Sequence, residues 1–221
     1  MISPESVEVA RFFDYLGMKY EHAFADRKQD QIDAVEHLAR RLGPGARVLD
    51  VGCATGRPTA EQLCAAGLDV TGIDVSEVML SHARRQVPQG RFVLADLFAD
   101  DTDLGTYDAV VSLFCLVNLP EPRFVDGLRR LAAHTRPGGT VLVAVPEFSG
   151  TKDEPFMQRT YRPLRCLSED VHRYGRLAGL RVEDVQVRPE PAASQQTPRN
   201  NLFLWARTPA SAPDAAPAPG G

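Results

Sequence analysis

At 221 residues the chain is long enough for one α/β domain with a full core, and its 43% hydrophobic and 24% charged content is ordinary for a globular protein. A net charge of −4 with no basic run argues against nucleic acid or an anionic membrane as partner. No apolar stretch reaches the ~18 residues of a membrane span and no signal-type apolar region opens the chain, so a cytoplasmic location is expected.

Residues 5–42 carry helical patterning. Val9, Phe12, Phe13 and Leu16 recur at helical spacing, as do Ile32, Val35, Leu38, Ala39 and Leu42, which predicts two helices around a less regular link from Lys19 to Phe24. An apolar run closing on Val48-Leu49 then predicts a buried parallel strand ended by Asp50. Gly52-Cys53-Ala54-Thr55-Gly56 is a loop of small residues. Pro58 suits a first helical turn, and a helix through Glu61, Gln62 and Leu63 stops at Gly67. Strand, glycine loop and helix together let backbone N–H groups approach a ligand closely. A carboxylate at Asp50 would repel a pyrophosphate there, so charge favours a neutral or cationic ligand.

Leu68–Ile73 alternates as a second strand ending on Asp74. Ser76 is a good N-cap, with Glu77 in the first turn, for a helix to about Val87. Arg91–Ala95 reads as a third strand ending at Asp96, and Tyr107–Phe114 as a fourth. Pro120 and Pro122 open a helix through Phe124, Leu128 and Leu131, closed by Pro137-Gly138-Gly139, and Thr140–Val145 is a fifth strand. Residues 146–167 are irregular. Ser168-Glu169-Asp170 caps a helix ending near Gly179, and Leu180–Val187 and Leu202–Ala206 are the sixth and seventh strands. The link between these two is only about 14 residues, holds three prolines and has no helical period, which is poor for a parallel crossover. They are expected to form an antiparallel hairpin. The expected architecture is a single α/β domain: a seven-stranded mixed sheet with its last strand antiparallel and helices on both faces. An N-terminal helical cap at 1–42 precedes a core at 43–208, and the tail at 209–221, rich in Ala, Pro and Gly, is expected to be disordered.

DVGCATG at 50–56 resembles the first motif of class I S-adenosylmethionine-dependent methyltransferases, in which an acidic residue precedes a Gly-x-Gly-x-Gly-like loop. Ala54 stands where that family usually has its middle glycine. GIDVSEVML at 72–80, VLADLF at 93–98 and RPGGTVLV at 136–143 agree in order and spacing, and the likeness covers roughly residues 40–205. It implies a Rossmann-like fold and S-adenosyl-L-methionine as cofactor, with S-adenosyl-L-homocysteine as product. Asp50, Gly52, Cys53, Ala54 and Gly56 would form the loop at the methionine end. Asp74 would accept both ribose hydroxyls, and Val75 and Met79 would flank the adenine. Asp96 would accept the adenine amino group, with the Leu97 N–H on a ring nitrogen. Leu113 and Phe114 lie in the segment placed under the sulfonium, and Tyr20 belongs to the cap that covers the cofactor. Phe12, Phe13 and Phe24 suit either that cover or the core.

Methyl transfer needs chiefly in-line placement, and a base enters when the acceptor is a hydroxyl or an acidic carbon. The catalytic residue is left open: His22, Tyr20, Glu147 and Tyr161 are the candidates. In 112–118 the loop position where the family often has histidine offers Asn118, so no histidine base is supported there. His37, His82 and His134 read as exposed on helices. The four cysteines, Cys53, Cys64, Cys115 and Cys166, lack metal-ligand spacing, and no metal is expected. The segment 146–167 reads as an acceptor lid carrying Phe148, Phe156, Met157 and Tyr161 beside Arg159, Arg162 and Arg165. Those arginines either bind an acidic group of the acceptor or are solvated. The resulting reading is methyl transfer to an O, N or C atom of a small molecule, such as a secondary metabolite, by a monomer or homodimer. Two alternatives stay open: an S-adenosylmethionine-binding protein running a non-methylating reaction such as a cyclisation, and an NAD(P)-dependent oxidoreductase. Asp50 and the lack of Gly-x-Gly-x-x-Gly oppose the second.

Overall fold

The computed structural model describes residues 2–23, 29–99, 103–117, 119–148, 153–156, 159–161, 164–189 and 200–210. Seven strands form one sheet: β1 (Arg47–Val51), β2 (Asp69–Asp74), β3 (Arg91–Leu94), β4 (Tyr107–Leu113), β5 (Thr135–Pro146), β8 (Arg181–Pro189) and β9 (Asn200–Arg207). Their order is β3-β2-β1-β4-β5-β9-β8. The first five pair in parallel, and β9 runs antiparallel to both β5 and β8. The expected hairpin and mixed sheet are therefore present.

Both faces of the central strands are covered, which is why they are apolar almost throughout. On β5, Val141, Val143 and Val145 enter one core, while Leu142 and Ala144 enter the other. On β9, Leu202, Leu204 and Ala206 face the first, and Phe203 and Trp205 the second. The first core is closed by α6 (Glu121–Ala133), through Phe124, Leu128 and Leu131, and by α7 (Ser168–Leu177), through Val171 and Tyr174. The second is closed by α3 (Gln29–Leu42), α4 (Thr59–Ala65) and α5 (Glu77–Gln86), through Val35, Leu38, Leu63 and Leu80. Each such side chain contributes about 1.5–3 kcal/mol on burial. An exposed pair such as Arg40–Glu36 adds about 0–1 kcal/mol, so the cores decide the stability.

Three expectations need correction. The link from Lys19 is not irregular: Gly17, at φ 48°, ends α1 (Pro4–Leu16), and α2 (Met18–Ala23) restarts directly. It has no buried residue, so it lacks the apolar period by which helices are read. Helix α6 ends at His134 rather than at Pro137-Gly138-Gly139. β5 already begins at Thr135, opposite Tyr107, and a register shift absorbs the proline before Thr140 meets Ala109. Residues 146–167 contain a small hairpin, β6 (Glu154–Phe156) with β7 (Arg159–Tyr161), and a bridge between Phe148 and Cys166. Strands of three residues are too short to show a period. Phe24, Asn118, Met157, Arg162 and the tail from residue 211 lie outside the described residues, as do the side chains of Phe156, Arg159 and Tyr161.

Candidate active site

The site lies beyond the carboxyl ends of β1, β2 and β3, where open α/β sheets bind ligands. β1 carries Asp50 one residue before its end. The loop that follows is held by its backbone: the N–H groups of Gly52 and Cys53 both donate to the Ile73 carbonyl, at 2.8 and 3.0 Å, and Gly56 N–H donates to Cys53 O at 2.8 Å. Gly52, Ala54 and Gly56 have φ of 73°, 47° and 81°. Left-handed backbone costs an L-residue about 1–2 kcal/mol, so Ala54 stores strain where glycine would store none. Phe114, just past β4, is also left-handed at φ 61°. The strain thus gathers on the two loops that face each other. A Cβ on Gly52 would stand 2.3 Å from Cys115 Sγ, so the loop after β4 sits directly on the glycine loop.

Three carboxylates surround this junction. Asp50 is buried and its Oδ2 has no hydrogen-bond partner. Burial, with the Asp74 charge second, lifts its pKa to about 7. Asp74 ends β2. Its Oδ2 accepts the Ala54 N–H and its Oδ1 the Ser76 N–H, each at 2.9 Å. Burial raises its pKa, and N–H groups of Ser76, Ala54 and Val75 oppose the rise. Three N–H groups on about four lone-pair sites leave the Asp74 carboxylate room for one further bond to accept. Asp96 follows β3, with Oδ1 accepting from Phe98 N at 2.9 Å and Oδ2 from Ser3 N at 3.0 Å. Burial pushes it up, but those N–H groups and the Ser6 and Ser3 hydroxyls outweigh that and hold its pKa low. Ser76 caps α5 by accepting the Met79 N–H at 3.1 Å, which fixes the turn after Asp74.

Tyr20 enters from α2. Burial, and then the charges of Cys115 and Asp74, push its phenol to about 12, so it serves as a donor at neutral pH rather than as a base. Cys115 behaves alike: the residue reaches solvent, yet its sulfur is shut against Gly52 and its pKa rises to about 12, first by burial. Burial also raises Cys53 well above the ordinary thiol value. Val75 is half-buried, while Met79, Leu97 and Leu113 are buried beside these loops, and Phe114 stands edge-on to Phe203 at 6.1 Å.

Other candidates stand elsewhere. Arg165 does not face a pocket: it binds both oxygens of Asp170 at 2.8 Å, and Asp170 in turn accepts the Leu167 N–H at the start of α7. His22 is exposed on α2. Of the histidines read as exposed, His37 is, whereas His82 and His134 are half-buried. Glu147 accepts a hydrogen bond from Asn200 Nδ2 at 2.6 Å, and its charge is among those that raise Cys166. Sequence reasoning missed the residues by which the cap grips the site: Ser3 on Asp96, Asp14 on the Ser76 hydroxyl at 2.6 Å, and Glu21 on the Thr55 hydroxyl at 2.5 Å. Among the described residues no group of His, Cys, Asp and Glu is placed to hold a metal ion, and no helix is long and apolar enough to cross a membrane.

Fold and site together define an α/β protein whose glycine loop is acidic, which favours a neutral or cationic ligand over a pyrophosphate. The comparisons agree. Residues 48–139 match the model described as "Methyltransferase domain". A demethylmenaquinone methyltransferase of Corynebacterium kroppenstedtii is 34% identical over 186 residues, 77% of this chain and 76% of that protein. One of Renibacterium salmoninarum is 35% identical over 157 residues, 67% of this chain and 62% of that protein. The chain spans 61–65% of three of these curated relatives. The same fold is seen in a Burkholderia thailandensis 1,6-didemethyltoxoflavin-N1-methyltransferase crystallised with 1,6-didemethyltoxoflavin and S-adenosylhomocysteine. Its TM-score is 0.72 at 23% identity, covering 95% of this chain and 92% of that one. The chain belongs to the class I S-adenosylmethionine-dependent methyltransferase family.

Proposed function

We propose that this chain transfers the methyl group of S-adenosylmethionine to a small molecule whose binding face is largely apolar. The observation that carries the reading is the buried Asp50 carboxylate. It holds an unpartnered oxygen beside Asp74, in the loop where the family's ligand brings a positive charge. The cofactor supplies a methyl group on a sulfonium, already activated and leaving as a neutral thioether. Asp50 and the glycine loop would hold its ammonium end, Asp74 would accept from the ribose, and Asp96 would take the adenine amine. Tyr20, protonated, covers the junction and keeps water from it.

The acceptor side supports the second half of the proposal. Where β4 and β5 end, Leu116, Val117, Phe124, Val145, Phe148 and Cys166, among others, form a wall with no charged side chain; the cavity among them, about 10 Å³, has room for about one water, so an acceptor would meet the wall and not enter the cavity. The hydrogen bonds between Phe148 and Cys166, at 3.0 and 2.9 Å, strap the overlying segment down. Leu116 and Val117 follow Cys115 directly, so this apolar wall continues from the glycine-loop junction. Demethylmenaquinone methyltransferases among the relatives fit an apolar acceptor. Glu147 is the carboxylate near this wall and is the proposed base for a hydroxyl or acidic carbon.

Calorimetry with S-adenosylhomocysteine and NADH, followed by mass spectrometry of acceptors incubated with S-adenosylmethionine, tests this. The expected result is binding of the first ligand alone and a gain of one methyl group on apolar hydroquinones or phenols. NADH binding without a homocysteine-ligand response, or product without added mass, would overturn it.

A further inference from the structure

Helix α2 has six residues and none is buried as a whole, although the Tyr20 phenol is shut away from water. A helix this short does not hold itself together in water, so its place depends on what its side chains grip. Two of them reach the site. Tyr20 packs edge-on to Phe13 at 5.5 Å and turns toward Cys115 and Asp74. Glu21 turns the other way, onto Thr55, which is 1% exposed and sits between left-handed Ala54 and Gly56 in the glycine loop. Its Oε2 accepts the Thr55 hydroxyl at 2.5 Å and the Gln86 amide at 3.0 Å, while the same Gln86 amide donates to the Thr55 carbonyl at 3.0 Å. One carboxylate oxygen therefore ties α2, the glycine loop and the last residue of α5 into a single knot.

This contact is one of three. Asp14 on α1 accepts the Ser76 hydroxyl at 2.6 Å in the turn after Asp74, and Ser3 donates its N–H to Asp96. Each loop bearing a strand-end acid is thus gripped by the N-terminal segment. Glu21 differs from the others in reaching the glycine loop itself and in being shared by three elements. Resting on the cofactor reading above, we propose that Glu21 is a positioning residue for the cofactor. Through Thr55 it fixes the strained glycine loop and holds Tyr20 over the junction, so that the ligand leaves only when this knot opens.

The test compares Glu21→Ala, Glu21→Gln, Thr55→Val and the Ala/Val double variant. Dissociation of S-adenosylhomocysteine is followed by stopped flow, with Kd by calorimetry and apo Tm as the folding control. Losing hydrogen bonds to a charged group should speed dissociation about tenfold or more in Glu21→Ala and in Thr55→Val. Glu21→Gln, which still accepts the Thr55 hydroxyl, should recover most of the loss. The double variant should match Glu21→Ala, because Thr55→Val removes a bond that Glu21→Ala has already removed. Unchanged dissociation in Glu21→Ala, additive singles, or a Gln variant as impaired as the Ala variant would overturn the role of Glu21 while leaving the cofactor assignment intact. A wild-type protein that does not bind the ligand overturns both. If Glu21→Ala fails to fold, Thr55→Val and Glu21→Gln decide: a fast Val variant beside a near-normal Gln variant supports the knot, and any other pattern overturns it.

Discussion

The ends of β1, β2 and β3 and the ends of β4 and β5 form two halves of one cleft, yet they are built by opposite rules. The first half is polar, strained and specified atom by atom: three carboxylates, left-handed backbone at Gly52, Ala54 and Gly56, and backbone N–H groups aimed at Asp74. The second is a wall of aliphatic and aromatic side chains around a small cavity, fastened by backbone bonds at Phe148 and Cys166. A ligand with fixed charges and hydroxyls demands particular partners in particular places. An apolar acceptor demands shape alone, and many side-chain sets provide it. The halves should therefore respond differently to substitution.

Gly52→Ala should have the largest effect. Its Cβ would meet Cys115 Sγ at 2.3 Å and Cys115 Cβ at 2.5 Å, on a backbone at φ 73°. Overpacking plus left-handed strain should cost about 2–5 kcal/mol by urea denaturation. Adding Cys115→Ala should not rescue it, since the Cβ clash remains; full rescue would show that the two loops do not meet as described. Asp74→Ala comes next: it removes the carboxylate proposed to hold the ribose and should weaken S-adenosylhomocysteine at least tenfold by calorimetry. An unchanged Kd would move the ribose elsewhere.

Asp50 sharpens the contrast through pH. An acid whose folded pKa is raised, here to about 7, destabilises the apo fold once it ionises. Its penalty is absent below the ordinary carboxylate value of 3.8, grows with rising pH, and is complete above about 7. Apo Tm should therefore fall across that window, and Asp50→Asn should flatten this part of the profile. A ligand's positive charge favours the ionised form, so cofactor affinity should rise through pH 7 in the wild type and not in the variant. The smallest effect belongs to the apolar half: Cys166→Ala, which trims this wall without crowding it, should raise the acceptor KM a few-fold at most and leave the S-adenosylhomocysteine Kd unchanged. A cofactor Kd that moved with it would erase the division between the halves.

The same division governs how much could be read beforehand. Asp50, Asp74 and Asp96 were legible because strand endings, the Ser76 cap and glycine spacing are local signals, and so was the antiparallel closure, from the shortness of its link. Glu21, Asp14 and Ser3 were not, because each meets its partner 34, 62 and 93 residues away and nothing periodic announces the contact. Arg165 stayed open for a related reason: a charge in a loop can serve a ligand or solvent, and its pairing with both oxygens of Asp170, five residues on, leaves no periodic signal. Helix α2 and the β6–β7 hairpin escaped because elements this short bury too little to leave a pattern.

The position of β9 has a consequence for how the chain matures. Among the described residues, 200–207 form the last strand in chain order, yet they fill the slot between β5 and β8 and supply Phe203, Leu204 and Trp205 to opposite sides of the sheet. Until they arrive, β5 and β8 each present a bare row of backbone donors and acceptors, and neither apolar layer is sealed. Such a nascent chain is a template for pairing with its neighbours on a polysome. Synthesis that stalls before residue 200 would leave an unfinished sheet, whereas eight more residues join β5 to β8 and leave only β3 and β8 as edges.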